Sequence, residues 1–85
     1  MELKDTIELM QSEDYKDRFI AEYAQTKIRV GKLEKMLRDY EAKILPFEPT
    51  CEIDLLKRQA EVMNCYITIL EYRADEEGIN VKELF

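Results

Sequence analysis

Histidine is missing from this sequence altogether, and cysteine occurs only as Cys51 and Cys65. Without histidine, Ser–His and Cys–His nucleophile systems are excluded, and so is a Cys/His zinc site. Two cysteines are too few for the disulfide framework of a short secreted chain, so reduced thiols are expected. Glycine is nearly as scarce. With only Gly31 and Gly78 there is no phosphate loop and no dinucleotide fingerprint. Two prolines and two glycines also leave too few turn residues for a β-rich fold. No uninterrupted apolar run approaches the roughly 18 residues of a membrane span. The N-terminus, MELKDTIELM, lacks the basic-then-apolar layout of a signal peptide. A cytoplasmic protein is expected.

What the sequence does contain is charge and helical periodicity. Apolar residues make up 46% and charged residues 38% of the 85 positions, which is room for one domain. The net charge of −6 argues against a partner with a long phosphate backbone, which demands a positive footprint. The charge is uneven. Glu2, Asp5, Glu8, Glu13 and Asp14 face only Lys4 near the N-terminus. Lys27, Arg29, Lys32, Lys35 and Arg38 face only Glu34 in the stretch 27–38. Glu71, Asp75, Glu76, Glu77 and Glu83 make the end acidic again. A small anion suits the middle stretch; a long polyanion is repelled by both ends.

The expected fold is all-α: a short N-terminal helix over 2–11, then a long antiparallel helical hairpin. Leu3, Ile7 and Met10 set the short helix, and Ser12 is the expected N-cap of the next one. Phe19, Tyr23, Thr26, Val30, Leu33, Leu37, Tyr40 and Ile44 are spaced alternately by four and three. That is a heptad seam, and it predicts a helix over 13–44 that packs on another at a shallow angle. Pro46 and Pro49 mark a turn over 45–50, since a proline disfavours helical geometry in the residue before it. Thr50 is the expected cap of a second long helix over 51–77. Its seam reads Leu56, Gln59, Met63, Tyr66, Leu70 and Arg73, with Cys65 in the apolar pattern. Gly78 is a natural helix stop. The stretch 78–85 ends in Leu84 and Phe85, and it is expected to dock on another helix or on a neighbouring subunit. Spare apolar rows, Ile20, Ile28, Met36 and Leu55, Val62, Ile69, predict a homo-oligomer.

Three features are candidate binding elements. Tyr15 with Lys16 stands ahead of the seam, either as an N-terminal staple or as an aromatic platform for a base with a lysine on phosphate. Lys27 with Arg29 flanks Thr26 and Val30. Their heads either snorkel to solvent or to acidic partners, or clamp a phosphate at a subunit contact. Gly31 costs about 1 kcal/mol relative to alanine in a helix interior, and is either tolerated drift or a point of close approach. The acidic run Asp75–Glu77 reads as a solvated face, because adjacent helical residues do not converge on a metal. No metal and no cofactor are expected, and no catalytic residue is assigned.

The run YKDRFIAEYAQTKIRVGKLEKML, a proline-bearing turn, and LLKRQAEVMNCYITILEYRA together resemble a family of small phage and prophage proteins related to a crAss-like phage protein. The row Gln59–Met63–Tyr66–Leu70–Arg73 is its most telling part. The layout also resembles the phage anti-CBASS sponges, which pair a short N-terminal segment with a long helical hairpin. That resemblance implies an oligomer that sequesters a cyclic oligonucleotide without cleaving it, so it is not an enzyme. It implies a ligand pocket at subunit contacts, with Tyr15 and Lys27 as the nearest counterparts of the sponges' tyrosine and lysine. Gln59, Met63 and Arg73 resemble the glutamine, apolar stretch and arginine of the sponges' second helix. The expected function is therefore a phage counter-defence protein in the host cytoplasm that holds a nucleotide immune signal. Tyr15, Lys16, Lys27 and Arg29 are its candidate ligand residues. An acidic helical inhibitor of a host defence protein and a structural phage accessory are the alternatives.

Overall fold

The computed structural model describes residues 1–84. Two long helices, α2 (Tyr15–Glu41) and α3 (Ile53–Glu77), pack together as an antiparallel hairpin. A 3-10 turn over Leu3–Thr6 and a single helical turn, α1 (Ile7–Met10), precede it and pack on α2. There are no strands among the described residues. The molecule measures 43 × 24 × 20 Å. Its long axis is the length of α2, for which 27 residues at ~1.5 Å each give about 40 Å.

The α2 seam follows the predicted spacing for most of its length. Phe19, Tyr23, Val30 and Leu37 are buried, and Leu33 packs against them. Thr26 is tolerated in this row because its hydroxyl donates to the Glu22 carbonyl at 2.8 Å. The seam fails at its end. Lys43 takes a left-handed backbone, φ 62, and terminates the helix before Ile44. The amide of Ile44 donates to the Asp39 carbonyl and that of Lys43 to Tyr40, both at 3.0 Å, the pairing of a Schellman cap. Ile44 is thereby turned outward, 68% exposed.

On α3 the core face differs from the expected one. The buried or packed row is Ile53, Leu56, Ala60, Met63, Ile67, Leu70 and Ala74. Leu56, Met63 and Leu70 are shared with the predicted seam. Gln59, Tyr66 and Arg73 instead lie one residue ahead of Ala60, Ile67 and Ala74, about 100° round the helix, and are exposed. Alanine at positions 60 and 74 lets the helices approach closely. Cys65 is exposed rather than core, as is Cys51.

The caps also shift. Asp14, not Ser12, caps α2, accepting from the Lys16 amide at 2.9 Å. The Ser12 hydroxyl instead donates to Asp17 at 2.8 Å and accepts from the Asp14 amide. Glu52, not Thr50, occupies the cap position of α3. Gly78 ends α3 with φ 70, and the Ile79 amide then donates to the Ala74 carbonyl at 2.8 Å. Ile79 and Val81 turn back into the hairpin core, with Leu84 packed against it. The chain end thus docks on its own helices; Phe85 lies outside the described residues.

At the other face of α2, Thr6 is buried beneath the N-terminal segment. Its hydroxyl donates to the Leu3 carbonyl at 2.7 Å and accepts from Gln25 Nε2 at 2.9 Å. Ala21, one turn before Gln25 on the same face, is buried as well.

Candidate ligand-binding surface

Tyr15 opens α2 and is 49% exposed, with Lys16 exposed beside it. Lys27 is half-buried and Arg29 exposed, roughly three to four turns further on. Among the described residues, no carboxylate forms an ion pair with Lys16, Lys27 or Arg29, nor with Lys32 or Arg38. Within the basic stretch only Lys35 is paired, to Asp39 at 2.8 Å. The positive charge of this stretch is therefore left uncompensated by the chain's acidic ends.

The helix divides these residues between two edges of the hairpin. A step of two residues turns an α-helix by about 200°, so Lys27 and Arg29 lie about 160° apart. Lys27 shares an edge with Glu34 and Glu41, seven and fourteen residues on. Those two bind across to α3: Glu34 accepts from Asn64 at 3.2 Å, and Glu41 pairs with Lys57 at 2.9 Å. The bond to Glu41 raises the pKa of Lys57. Lys16 falls on the same edge as Lys27, about 16 Å away along the axis. Tyr15 and Arg29, fourteen residues apart, share the opposite edge at a separation of about 21 Å. A single chain therefore brings no two of Tyr15, Lys27 and Arg29 to one point.

The described surface carries shallow, open depressions. One of about 410 Å³ lies at the hairpin turn, lined by Tyr40, Glu41, Lys43, Leu45, Phe47 and Glu48. Another, about 300 Å³, lies between the helices on the Lys27 edge and includes Glu34, Arg38, Glu41 and Lys57. A third, about 650 Å³, runs along α3 past Arg58, Glu61, Val62 and Cys65. Among the described residues no three acidic or cysteine side chains converge on a point that would hold a metal ion. Among the described residues no helix is long and apolar enough to cross a membrane.

The spare apolar row on α3 lies at the surface, and Tyr66 of the expected seam lies in it. Leu55, Val62 and Ile69 are 59, 60 and 57% exposed, and Tyr66 is 38% exposed in the same row. Leu55 and Val62 each precede an inter-helix partner, Lys57 and Asn64, by two residues. They therefore lie on the opposite edge of the hairpin, the edge that Arg29 occupies.

Residues 13–76 match the Sequestin family. The chain belongs to the Sequestin family. The match runs from one residue before the cap of α2, through the turn, to the last turn of α3. Among curated proteins and among solved structures, no match is found. The family's name speaks of sequestration, in keeping with a protein that binds rather than transforms; it names no ligand. As a Sequestin the chain presents a helical surface with cations on α2 and an apolar row on the outer side of α3.

Proposed function

We propose that this Sequestin sequesters a small anionic nucleotide, a cyclic nucleotide immune signal of the host, and holds it without cleaving it. Membership of the family over residues 13–76 carries this reading. The uncompensated cations of residues 27–38 support it, since they favour an anion in a chain of net charge −6. In this reading Tyr15 stacks on the base, and Lys16, Lys27 and Arg29 neutralise phosphates. Because these residues sit on two edges of one hairpin, the ligand is shared between copies in a homo-oligomer. The protein is then a phage counter-defence factor acting in the host cytoplasm, and the defence effector is starved of its messenger.

The test is titration calorimetry against cyclic di- and trinucleotides and cyclic ADP-ribose isomers. Heat of binding with one of them supports the reading. No heat with any of them, alongside a host protein that co-purifies, overturns it in favour of an inhibitor of a defence enzyme.

A further inference from the structure

Helix α3 carries two apolar stripes, and the hairpin covers only one. The second runs Leu55, Gln59, Val62, Tyr66, Ile69 and Arg73, spaced alternately by four and three. A single helix presenting such a row along five turns is the pattern of a helix that packs on another. Nothing among the described residues lies over its Leu55–Ile69 stretch: Leu55, Val62 and Ile69 are each more than half exposed. Arg73 ends the row over the Phe19 ring, 5.0 Å from its centroid, and pairs with Glu77 at 3.0 Å, so the stripe is closed at that end by the chain itself.

The charges beside the stripe say what covers it. Arg58 and Glu76 are eighteen residues apart, five whole turns, so they stand on one flank at opposite ends. Both are exposed, and neither forms an ion pair among the described residues. A parallel neighbour would carry this flank of each helix to opposite sides of the contact, leaving both charges without a partner. An antiparallel copy of α3 sets Arg58 of each chain towards Glu76 of the other.

We infer that two copies of this chain pair through α3, antiparallel, about a two-fold axis in the Val62–Ile69 stretch. Val62, Tyr66 and Ile69 interdigitate at the centre, and the two Arg58–Glu76 pairs close the ends. A two-fold interface must be self-complementary, and this one is: an apolar centre with opposite charges equidistant from it. The pairing also sets both α2 helices on one side of the α3 pair, with their Arg29 edges turned towards each other. On the sequestration reading, a phosphate-bearing ligand lying across the axis meets Arg29 of both copies. The pairing itself needs no ligand and is measured without one.

Sedimentation of the unliganded chain is expected to give at least twice the 10.2 kDa of one copy. Val62→Glu and Ile69→Glu, both at exposed positions, are expected to return it to one copy with helicity unchanged. Arg58→Glu alone weakens association about tenfold, and Arg58→Glu with Glu76→Arg restores it. In a Cys51→Ser background, a short bis-maleimide is expected to link Cys65 to Cys65 across the axis. A wild-type chain that sediments as one copy overturns the inference. So does an oligomer whose mass neither Val62→Glu nor Ile69→Glu changes, whatever partner the stripe then takes.

Discussion

The Tyr23 hydroxyl donates to Glu71 Oε2 at 2.6 Å, joining α2 to α3 across 48 residues of sequence. It is a charge-assisted bond beside a buried ring, and it fixes the register of the hairpin at the end where the N-terminus and the last turns of α3 meet. Burial, and then the bond and the charge of Glu71, push the Tyr23 phenol up from 10.0 to about 12. The folded chain thus holds this proton more tightly than the unfolded one. Its contribution to stability is complete below pH 10 and is lost as pH rises towards 12. The Tyr23 phenol is expected to ionise only as pH nears 12. Ultraviolet titration of phenolate absorbance, wild type against Tyr23→Phe, checks this. Loss of a phase near pH 12 in the variant is the expected result. Tyr23→Phe is also expected to cost about 1–2 kcal/mol at neutral pH, read from chemical denaturation.

Two positions with left-handed backbone predict opposite effects of exchanging glycine. At Gly78, φ 70, a Cβ would meet only open space, so Gly78→Ala costs about 1 kcal/mol through backbone strain alone. Lys43, φ 62, already carries that strain, so Lys43→Gly stabilises the chain by up to about 1 kcal/mol. Gly31 is neither strained nor crowded, and Gly31→Ala stabilises by about the same amount. Thermal denaturation of the three variants gives the signs directly.

The return of the chain after Gly78 is a structural element in its own right. Ile79 is 6% exposed within the core cluster. Ile79→Ala is expected to cost about 2–3 kcal/mol, the range of a buried aliphatic truncation. Exposed Ile44→Ala is expected to change stability by less than about 0.5 kcal/mol, although both isoleucines lie just beyond a helix end. Chemical denaturation of the two variants side by side checks the contrast.

Much of this architecture is legible in the sequence, and where the sequence misleads the reasons are physical. The alternation of threes and fours from Phe19 to Leu37 specifies α2 because one stripe on that helix dominates. On α3 two stripes compete. Ala60 and Ala74 weigh little on any apolar scale, yet they are buried because small side chains allow close helix contact. Tyr66 and Arg73 weigh more or reach further, yet they face out. Which stripe faces α2 depends on the partner helix, information no window of α3 contains. The caps shift for a local reason: Ser12 and Thr50 are good capping residues near the right places, but Asp14 lies closer to the first free amides of α2. The separation of Lys27 from Arg29 is legible in their spacing of two. The alignment of Arg29 with the exposed stripe is not, because it needs the Glu34–Asn64 and Glu41–Lys57 contacts to fix how the two helices face each other.

For the ligand residues the expected effects fall on binding and not on folding. Tyr15→Ala and Lys27→Glu are each expected to weaken nucleotide binding about tenfold or more, with melting temperature unchanged, because neither side chain is in the core. Arg29→Ala is expected to act similarly. Calorimetry on each variant checks the set. Normal binding by both Tyr15→Ala and Lys27→Glu would move the site elsewhere on the hairpin.

Sequestration means binding without turnover, and a single experiment reads both halves of that statement. The protein is incubated with a cyclic nucleotide, separated from free ligand by gel filtration and denatured, and the released small molecule is identified by mass spectrometry. The nucleotide is expected to travel with the protein and to be recovered chemically intact in near-stoichiometric yield. Recovery of a linear or otherwise cleaved product, or no nucleotide travelling with the protein, is incompatible with sequestration.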